Sequence, residues 1–288
     1  MKTLSGLAAV AEQYDAFILD LWGLVHDGET AYPQSAATFR ALKAAGKRTL
    51  LLSNAPRRAQ PLIDGLARMG IARDLYGEVL SSGEATRRAL IERSDPFFAG
   101  LGRKAYHLGP ERDRSVFEGA DLDIVADVGS AELIVNTGPI DLEQSVMDWE
   151  PVLTAGIARS LPMVCANPDL VVIRGGRRIV CAGAIAARYE ALGGRVAYRG
   201  KPDPAVYRVA LNLLHVPDPS RVAVVGDALE TDVKGAAAAG LDAIWCTGGI
   251  HAEELGTSYG RPAAPDRAAS LATDYRQRPV ATIPGFIW

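Results

Sequence analysis

The stretch VVGDALETDVKGAAAAG, residues 224–240, contains the unit of local structure on which the fold depends. An apolar strand is predicted over residues 221–225, and it runs into the acidic residue Asp227. A helix is predicted over residues 231–239, and Gly240 ends it. A buried strand that leads directly into a helix is typical of α/β proteins with a mainly parallel sheet.

The same unit recurs on both sides of this stretch. Residues 14–19 form an apolar run that ends at Asp20, and residues 47–52 form a second run that ends at Ser53-Asn54. Further strands are predicted over residues 78–80, 104–108, 123–127, 133–137, 163–166 and 243–246, with a hairpin around Gly175-Gly176. Helices are predicted over residues 32–46, 61–70, 82–93, 142–160, 182–192 and 204–214. The alternation predicts an α/β fold.

Composition limits the function classes. The chain has 288 residues, 48% hydrophobic and 23% charged, which is ordinary for a soluble globular protein of one large or two modest domains. A net charge of −3 gives no support for a nucleic-acid partner, and no apolar run is long enough to span a membrane. Three cysteines argue against a secreted disulfide framework and predict a cytoplasmic protein.

Polar residues stand where three of the predicted strands end. Asp20, Ser53 and Asp227 each follow an apolar strand, and ligands of open parallel sheets bind at the carboxyl ends of strands. Lys201 lies in the turn-rich segment GKPDP, where prolines restrict the backbone. Carboxylates at one sheet edge can hold Mg²⁺, a lysine and a hydroxyl can bind phosphate oxygens, and one carboxylate can act as a nucleophile.

Each of these residues has an ordinary structural interpretation when it is taken alone. An isolated aspartate after a strand is most often a turn or helix cap, and Ser53-Asn54 is a common capping pair. Lys201 alone is a solvated lysine, and Asp232 alone is a first-turn acid favoured by the helix dipole. The functional interpretation therefore depends on the order and spacing of all of them together.

Four segments carry a resemblance that covers essentially the whole chain. They are FILDLWGLVHDG (17–28), LLLSNAPRR (50–58), GKPDPAVY (200–207) and VVGDALETDVKGAAAAG (224–240). In this order they resemble the four motifs of the haloacid dehalogenase (HAD) superfamily of phosphohydrolases. The first or second segment alone would be a weak signal, whereas GKPDP followed by GDxxxTD is a specific one.

The spacing of the motifs refines the resemblance. The interval between Asp20 and Ser53 is too short for a cap domain, and the interval between Ser53 and Lys201 is long enough for one. This is the type 2 arrangement. Within it, ANPDL and CAGAIAARYEALGG are similar to the subclass IIA caps of 4-nitrophenylphosphatase, nucleotidase and sugar-phosphatase relatives. Asn167 and Asp169 of ANPDL would then reach from the cap toward the leaving group.

The resemblance implies a particular division of the chain. Residues 1–83 and 195–288 would form a discontinuous HAD-like core with a doubly wound, mainly parallel sheet. Residues 84–194 would form an inserted α/β cap domain of type 2. The chain would thus thread one domain through the other instead of placing two end to end.

Each matching residue acquires a role through the resemblance. Asp20 matches the nucleophile that forms an aspartyl-phosphate, and Lys201 matches the lysine that steadies this nucleophile and the transferring phosphoryl group. Ser53 matches the phosphate-binding hydroxyl, and Asn54 is its neighbour at the same strand end.

A metal site is implied as well. Asp20 and Asp227 would be side-chain ligands of Mg²⁺, and Asp232 would support them. The backbone carbonyl of Trp22 would be a further ligand.

Trp22 is also where the chain departs from the superfamily's pattern, because phosphatases of this group usually carry a second aspartate at that position. That aspartate protonates the leaving alcohol and deprotonates the attacking water, which an indole cannot do. General acid–base catalysis typically contributes ~10²–10⁴-fold in rate, so a phosphatase without it should be slow. His26 and Asp27 follow in the same loop and could substitute, although both are better interpreted as caps of the turn around Gly28.

The predicted function is a Mg²⁺-dependent phosphomonoesterase acting on a small phosphorylated metabolite: a sugar phosphate, a nucleotide or a p-nitrophenyl phosphate-like ester. An alternative is a phosphometabolite-binding or regulatory protein that has lost turnover. A haloacid dehalogenase would also have an aromatic residue near its nucleophile, but its cap follows the first motif. The resemblance is compatible with a cap-mediated homodimer, and the cap loops that select the substrate cannot be interpreted from one sequence.

Overall fold

Strands and helices alternate along the chain, of which the computed structural model describes residues 1–288. The strands are β1 (Lys2–Thr3), β2 (Ala16–Leu19), β3 (Arg48–Ser53), β4 (Glu78–Ser81), β5 (Lys104–Leu108), β6 (Asp123–Val125), β7 (Leu133–Asn136), β8 (Met163–Cys165), β9 (Val171–Arg174), β10 (Arg177–Val180), β11 (Val196–Tyr198), β12 (Val222–Gly226), β13 (Asp242–Cys246) and β14 (Ala281–Ile283). The α-helices are α1 (Ser35–Ala44), α2 (Ala59–Arg68), α3 (Ser82–Glu92), α4 (Pro96–Ala99), α5 (Glu150–Ala158), α6 (Ala182–Ala191), α7 (Pro204–Leu214), α8 (Lys234–Ala238), α9 (Ala252–Leu255) and α10 (Pro265–Asp274). This alternation confirms the predicted α/β class.

Seven strands form the larger sheet, in the order β1-β14-β13-β12-β2-β3-β4. Every neighbouring pair in it is parallel. Ile18 and Val224 pack into a hydrophobic cluster with Trp245, whereas Phe17 and Val225 belong to a second cluster. Because successive side chains of a strand point to opposite faces, both faces of this sheet are buried. That is why its central strands are continuous apolar runs.

A second, five-stranded sheet lies in the middle of the chain, in the order β11-β8-β7-β5-β6, and it is also wholly parallel. It too has apolar clusters on both faces, with Ile134 and Cys165 in one and Leu133 and Val164 in the other. The pair β9–β10 is an antiparallel hairpin that belongs to neither sheet. The predicted mainly parallel architecture is therefore confirmed.

One strand near the predicted domain boundary belongs to the second sheet. Residues 196–198 form β11, which pairs with β8 in the five-stranded sheet, and the chain reaches the larger sheet again at β12. The division into a core of residues 1–83 and 195–288 and an inserted cap of residues 84–194 remains a prediction.

Several elements differ in detail from the sequence predictions. The helix predicted over 142–160 begins with a 3₁₀ turn at Val146–Trp149 and continues as α5. No helix is predicted after Gly240, yet α9 and α10 lie in that part of the chain. The sequence analysis also missed β1 and β14, which pair with each other at the edge of the larger sheet. Both are very short, and so they lack a readable periodicity.

The parallel arrangement determines where a site can form. Strands β12, β2 and β3 are consecutive neighbours, with Val225 paired to Leu19 and Leu19 to Leu51. Their carboxyl ends therefore open at one edge of the sheet, as predicted.

No helix in the structure combines the length and the apolar character that crossing a membrane would require.

Candidate active site

The carboxylates of Asp20, Asp227 and Asp232 converge at this edge. One oxygen of each lies within 4.8 Å of the others, and all three residues are buried. Asp20 and Asp227 directly follow the adjacent strands β2 and β12, and the Asp20 backbone N–H donates to the Val225 carbonyl over 2.9 Å. The structure thus brings together three side chains that were predicted to hold a metal.

A wide helical turn at Leu229–Val233 directs Asp232 toward this cluster. Turns with i→i+5 hydrogen bonds are rare and are frequent at functional sites. Here the Val233 N–H donates to the Ala228 carbonyl over 3.2 Å. Asp232 Oδ2 in turn accepts a hydrogen bond of 3.1 Å from the Ala228 N–H. The turn replaces the start of the helix that the sequence predicts over residues 231–239, and it fixes the Asp232 carboxylate.

Lys201 lies between two of the carboxylates. Its Nζ donates to Asp20 Oδ1 and, over 2.7 Å, to Asp232 Oδ1, and the residue is only 3% exposed. Burial alone would lower the pKa of Lys201, but the charges of Asp20 and Asp232 raise it well above its ordinary value. Lys201 therefore stays cationic and points at the predicted nucleophile.

Acidic groups outnumber basic ones in this cluster, which holds three carboxyl groups and one ammonium group. Burial raises the pKa of Asp227 well above its ordinary value, and the charges of Asp20 and Asp232 raise it further. A cation beside Asp227 would remove this penalty on the ionised form. Carboxylate oxygens at close spacing are the donors that Mg²⁺ prefers, so the residues present fit a magnesium ion.

Asp227 is held in place from two sides. Its Oδ2 accepts a hydrogen bond of 2.6 Å from the Ile250 N–H, and its carbonyl accepts one of 2.9 Å from the indole of Trp245. The loop after Asp20 approaches so closely that a Cβ on Gly23, whose φ is +88°, would lie 1.9 Å from Asp227 Oδ2. Only glycine can occupy that position without moving the carboxylate.

Ser53 and Asn54 differ in their contacts, although they are neighbours at the carboxyl end of β3. Ser53 is buried at the floor of the site, and its Oγ accepts a hydrogen bond of 3.2 Å from the Ala55 N–H. The Asn54 side chain accepts from the Lys201 N–H over 2.8 Å and donates to the Lys201 carbonyl over 3.1 Å. Asn54 therefore holds the backbone of Lys201, a role that the prediction of substrate binding did not include.

The predicted cap residues also reach the site. Asn167 Oδ1 accepts a hydrogen bond of 3.0 Å from the Asp169 N–H. Asp169 Oδ1 accepts one of 2.8 Å from Asn54 Nδ2. Burial raises the pKa of Asp169, and although Lys201 and Asn54 oppose this shift, the net direction is upward. A carboxyl group from the segment predicted to be the cap thus lines the same cavity as the cluster around Lys201.

All nine predicted site residues line one cavity of about 720 Å³ between the two sheets. They are Asp20, Trp22, Ser53, Asn54, Asn167, Asp169, Lys201, Asp227 and Asp232. The hairpin β9–β10 contributes apolar wall residues, and Arg57 and Arg112 contribute positive charge. A volume of this order suits a small molecule.

The Trp22 side chain makes a contact that the sequence did not predict. Its Nε1 donates a hydrogen bond of 2.6 Å to the carbonyl oxygen of Ile173 in the hairpin. Nearby, Arg174 Nε lies 3.4 Å from Glu29 Oε1. The loop that follows Asp20 is therefore fastened to the hairpin at two points.

His26 and Asp27 do not stand where an acid or base is needed, because neither lines the cavity. His26 Nδ1 accepts a hydrogen bond of 3.0 Å from the Gly28 N–H, and burial lowers the His26 pKa to about 4. Asp27 Oδ1 accepts from the backbone N–H groups of Glu29 and Thr30 over 2.9 and 2.7 Å. Both residues cap the turn, which agrees with the structural interpretation of them.

Arg57 and Arg58 form ion pairs that the sequence did not predict. Arg57 Nε lies 3.2 Å from Asp113 Oδ1, and Arg57 lines the cavity. Arg58 contacts Glu84 and Glu118 over 3.1 and 2.6 Å. Only contacts distant in sequence explain this, and no local signal could have revealed them. The three cysteines are free and buried.

Comparison with known proteins agrees with this geometry. A family model described as haloacid dehalogenase-like hydrolase matches residues 17–123, and one described as HAD-hydrolase-like matches residues 198–274. A solved haloacid dehalogenase-like hydrolase from Brucella suis 1330 is 33% identical with a TM-score of 0.84, and the match covers 99% of this chain and 100% of that one. The chain belongs to the haloacid dehalogenase-like hydrolase family, and the predicted resemblance to subclass IIA is confirmed.

Two curated relatives extend along most of the chain. Chronophin from Mus musculus is 27% identical over 272 residues, which are 88% of this chain and 88% of that protein. The ribonucleotide monophosphatase NagD from Escherichia coli K12 is 27% identical over 238 residues, or 81% of this chain and 87% of NagD. The similarity therefore includes both sheets and not the larger one alone.

Proposed function

We propose that this chain is a Mg²⁺-dependent phosphomonoesterase that works through an aspartyl-phosphate on Asp20. The observation that carries the proposal is the position of Lys201, whose ammonium group joins Asp20 to Asp232 beside Asp227 at the cavity floor. A nucleophilic carboxylate, a fixed cation and an excess of acidic oxygen ligands meet the needs of phosphoryl transfer.

The roles follow from position and chemistry. Asp20 supplies the oxygen that attacks phosphorus, and Lys201 keeps this carboxylate oriented and balances charge on the transferring group. The Ser53 hydroxyl and its neighbouring backbone N–H groups would receive phosphoryl oxygens. Asn54 acts through Lys201, whose backbone it holds on both sides.

The metal would be held by Asp20, Asp227 and the Trp22 carbonyl, with Asp232 orienting Lys201 from the side. When bound, Mg²⁺ supplies charge neutralisation for the phosphoryl oxygens and aligns them for in-line attack.

The proposed substrate is a small phosphorylated metabolite such as a sugar phosphate or a nucleotide. Support comes from the cavity of about 720 Å³, and from a relative whose name is ribonucleotide monophosphatase. Asn167 and Asp169 would face the leaving group, while the hairpin β9–β10 would contact its apolar parts. The homodimer and the cytoplasmic location remain predictions.

A second candidate function is favoured by Trp22, which stands where the superfamily's phosphatases carry an acid–base aspartate. The chain would then bind a phosphometabolite and turn it over slowly or not at all. Dehalogenation is a weaker alternative, because the chain between β4 and α7 forms the second sheet and Asp20 is followed by no comparable insertion.

Hydrolysis of a panel of phosphorylated metabolites, with and without Mg²⁺, tests the proposal. Phosphate release that requires Mg²⁺ and is abolished in Asp20→Asn supports a phosphatase. Mass spectrometry of Asp20 after a rapid quench should detect the phosphorylated residue. Binding of a panel member without phosphate release would instead support the binding protein, and release of phosphate by Asp20→Asn at the wild-type rate would overturn the assignment of the nucleophile.

A further inference from the structure

Trp22 stands at the position where phosphatases of the superfamily carry their proton-donating aspartate. The indole cannot take over this task, because its only N–H group already makes a hydrogen bond. The indole has a single N–H group, and that group is bonded to the Ile173 carbonyl. Proton transfer to a departing alkoxide must therefore come from another residue that lines the cavity. The carboxyl groups that line it are those of Asp20, Asp113, Asp169, Asp227 and Asp232, and no histidine does so.

Most of the other titratable groups in the cavity can be excluded as the proton donor. Asp20, Asp227 and Asp232 are already engaged in the cluster around Lys201. The two tyrosines that line the cavity, Tyr32 and Tyr259, have pKa values raised above the ordinary value by burial, so neither supplies a base near neutral pH.

Asp113 lies beside Arg57, whose Nε is 3.2 Å from its Oδ1. Burial raises the pKa of Asp113 as it does that of Asp169, although Arg57 opposes the shift. Geometry distinguishes the two groups, because hydrogen bonds connect Asp169 through Asn54 to Lys201.

Asp169 stands close to the nucleophile through a short chain of contacts. Its Oδ1 accepts from Asn54 Nδ2 over 2.8 Å, and Asn54 Oδ1 accepts from the Lys201 N–H over 2.8 Å. Lys201 Nζ then donates to Asp20. Asp169 Oδ2 accepts no hydrogen bond from the protein, although the residue lines the cavity. One oxygen is thus fixed by the core, and the other is free to meet a substrate.

We propose that Asp169 is the general acid and base of this site, supplied by the cap in place of the missing motif-one aspartate. The inference rests on the proposed phosphatase function. It makes Asp169 a catalytic residue that exchanges a proton with the leaving oxygen and then with water. Burial raises the pKa of Asp169, which is the direction that keeps a proton available to a leaving group.

The proton balance is complete without another reactant. In the first half-reaction an Asp20 oxygen attacks phosphorus, the bond from phosphorus to the leaving oxygen breaks, and that oxygen takes the Asp169 proton. In the second, the Asp169 carboxylate takes a proton from water while the water oxygen attacks phosphorus. The bond from phosphorus to Asp20 then breaks, so that Asp20 and Asp169 return to their starting states and one water has been consumed.

The leaving-group dependence of Asp169→Asn tests this role. The asparagine can still accept the hydrogen bond from Asn54, so the fold and the orientation of Lys201 are retained. We expect phosphorylation by an alkyl phosphate, whose alkoxide needs a proton, to slow by about 10²–10⁴-fold. Phosphorylation by p-nitrophenyl phosphate, whose phenolate departs without a proton, should slow far less. Asp113→Asn, in the same cavity, is the matched control, and any loss in it should be equal for the two substrates.

The possible results separate this inference from the proposed function. An equal loss for both substrates in Asp169→Asn would show that Asp169 only positions Asn54, and would overturn the inference while the phosphatase stands. Wild-type protein without turnover of either ester would overturn the proposed function itself. If Asp169→Asn is unfolded by circular dichroism, Asp169→Glu provides the second test: it keeps an ionisable carboxyl, so the low leaving-group sensitivity of the wild type should persist.

Discussion

Trp22 and Ile173 are 151 positions apart in the chain, yet the indole Nε1 of one donates a hydrogen bond of 2.6 Å to the carbonyl oxygen of the other. This bond fastens the loop that follows Asp20 to the hairpin that forms part of the cavity wall. Trp22, which stands where related phosphatases carry an acid–base aspartate, thus joins the edge of the larger sheet to the hairpin β9–β10.

Removal of this bond alone should loosen the hairpin. Trp22→Phe keeps an aromatic ring but loses the donor, and one net hydrogen bond contributes about 1 kcal/mol. We expect KM for a cap-contacting substrate to rise by about fivefold, with a smaller change in kcat. Steady-state kinetics measure this. Trp149→Phe is the control, because Trp149 is also buried but its Nε1 has no hydrogen-bond partner.

A carboxyl group at position 22 should help only when Asp169 cannot act. In the wild-type background, Trp22→Asp adds a sixth carboxyl group to the cavity and removes the bond to Ile173, so turnover of an alkyl phosphate should not rise. In the Asp169→Asn background the same change should restore part of the lost turnover. A double-mutant cycle on kcat for one alkyl phosphate tests this coupling, and additive effects would argue against a shared role.

Lys201 should be needed for stability as well as for activity. Lys201→Ala leaves Asp20 and Asp232 buried without their cation, and breaking a buried ion pair from one side costs about 3–5 kcal/mol. Urea unfolding should show this loss, and added Mg²⁺ should recover part of it. The control is Lys43→Ala. Lys43 contacts Asp74 over 2.9 Å, but both side chains are exposed, so this ion pair should contribute about 0–1 kcal/mol.

Acid should destabilise the fold partly through His26. Burial lowers the His26 pKa from 6.5 to about 4, and the charge of Asp27 opposes this only in part. Because the unfolded chain binds a proton first, the free energy of unfolding falls as pH drops from 6.5 to 4, by at most about 3 kcal/mol. His26→Gln should flatten this slope in urea titrations at several pH values. His215→Gln, at an exposed histidine, should leave it unchanged.

The main features of the fold and the cluster of polar residues at the sheet edge were predictable because they depend on local patterns. Apolar runs that end at Asp20, Ser53 and Asp227 show where parallel strands finish, and parallel strands must open at one edge. The clustering of these residues follows from topology alone.

Contacts across the cavity could not be predicted in this way. Two such contacts are those of Asn54 with Asp169 and of Arg57 with Asp113. Both depend on how the second sheet is positioned over the first. The pairing of β11 with β8 was missed for the same reason. These contacts depend on the three-dimensional positions of the residues, which the periodicity of the sequence does not specify.

The hairpin β9–β10 belongs to neither parallel sheet. Its residues contribute side chains to the cavity wall without supporting a strand of either core. Substitutions there should therefore alter which molecules are accepted at little cost in folding, whereas substitutions at the floor would abolish the chemistry. Selection for a new substrate can act on this short segment while the machinery around Asp20 is inherited unchanged.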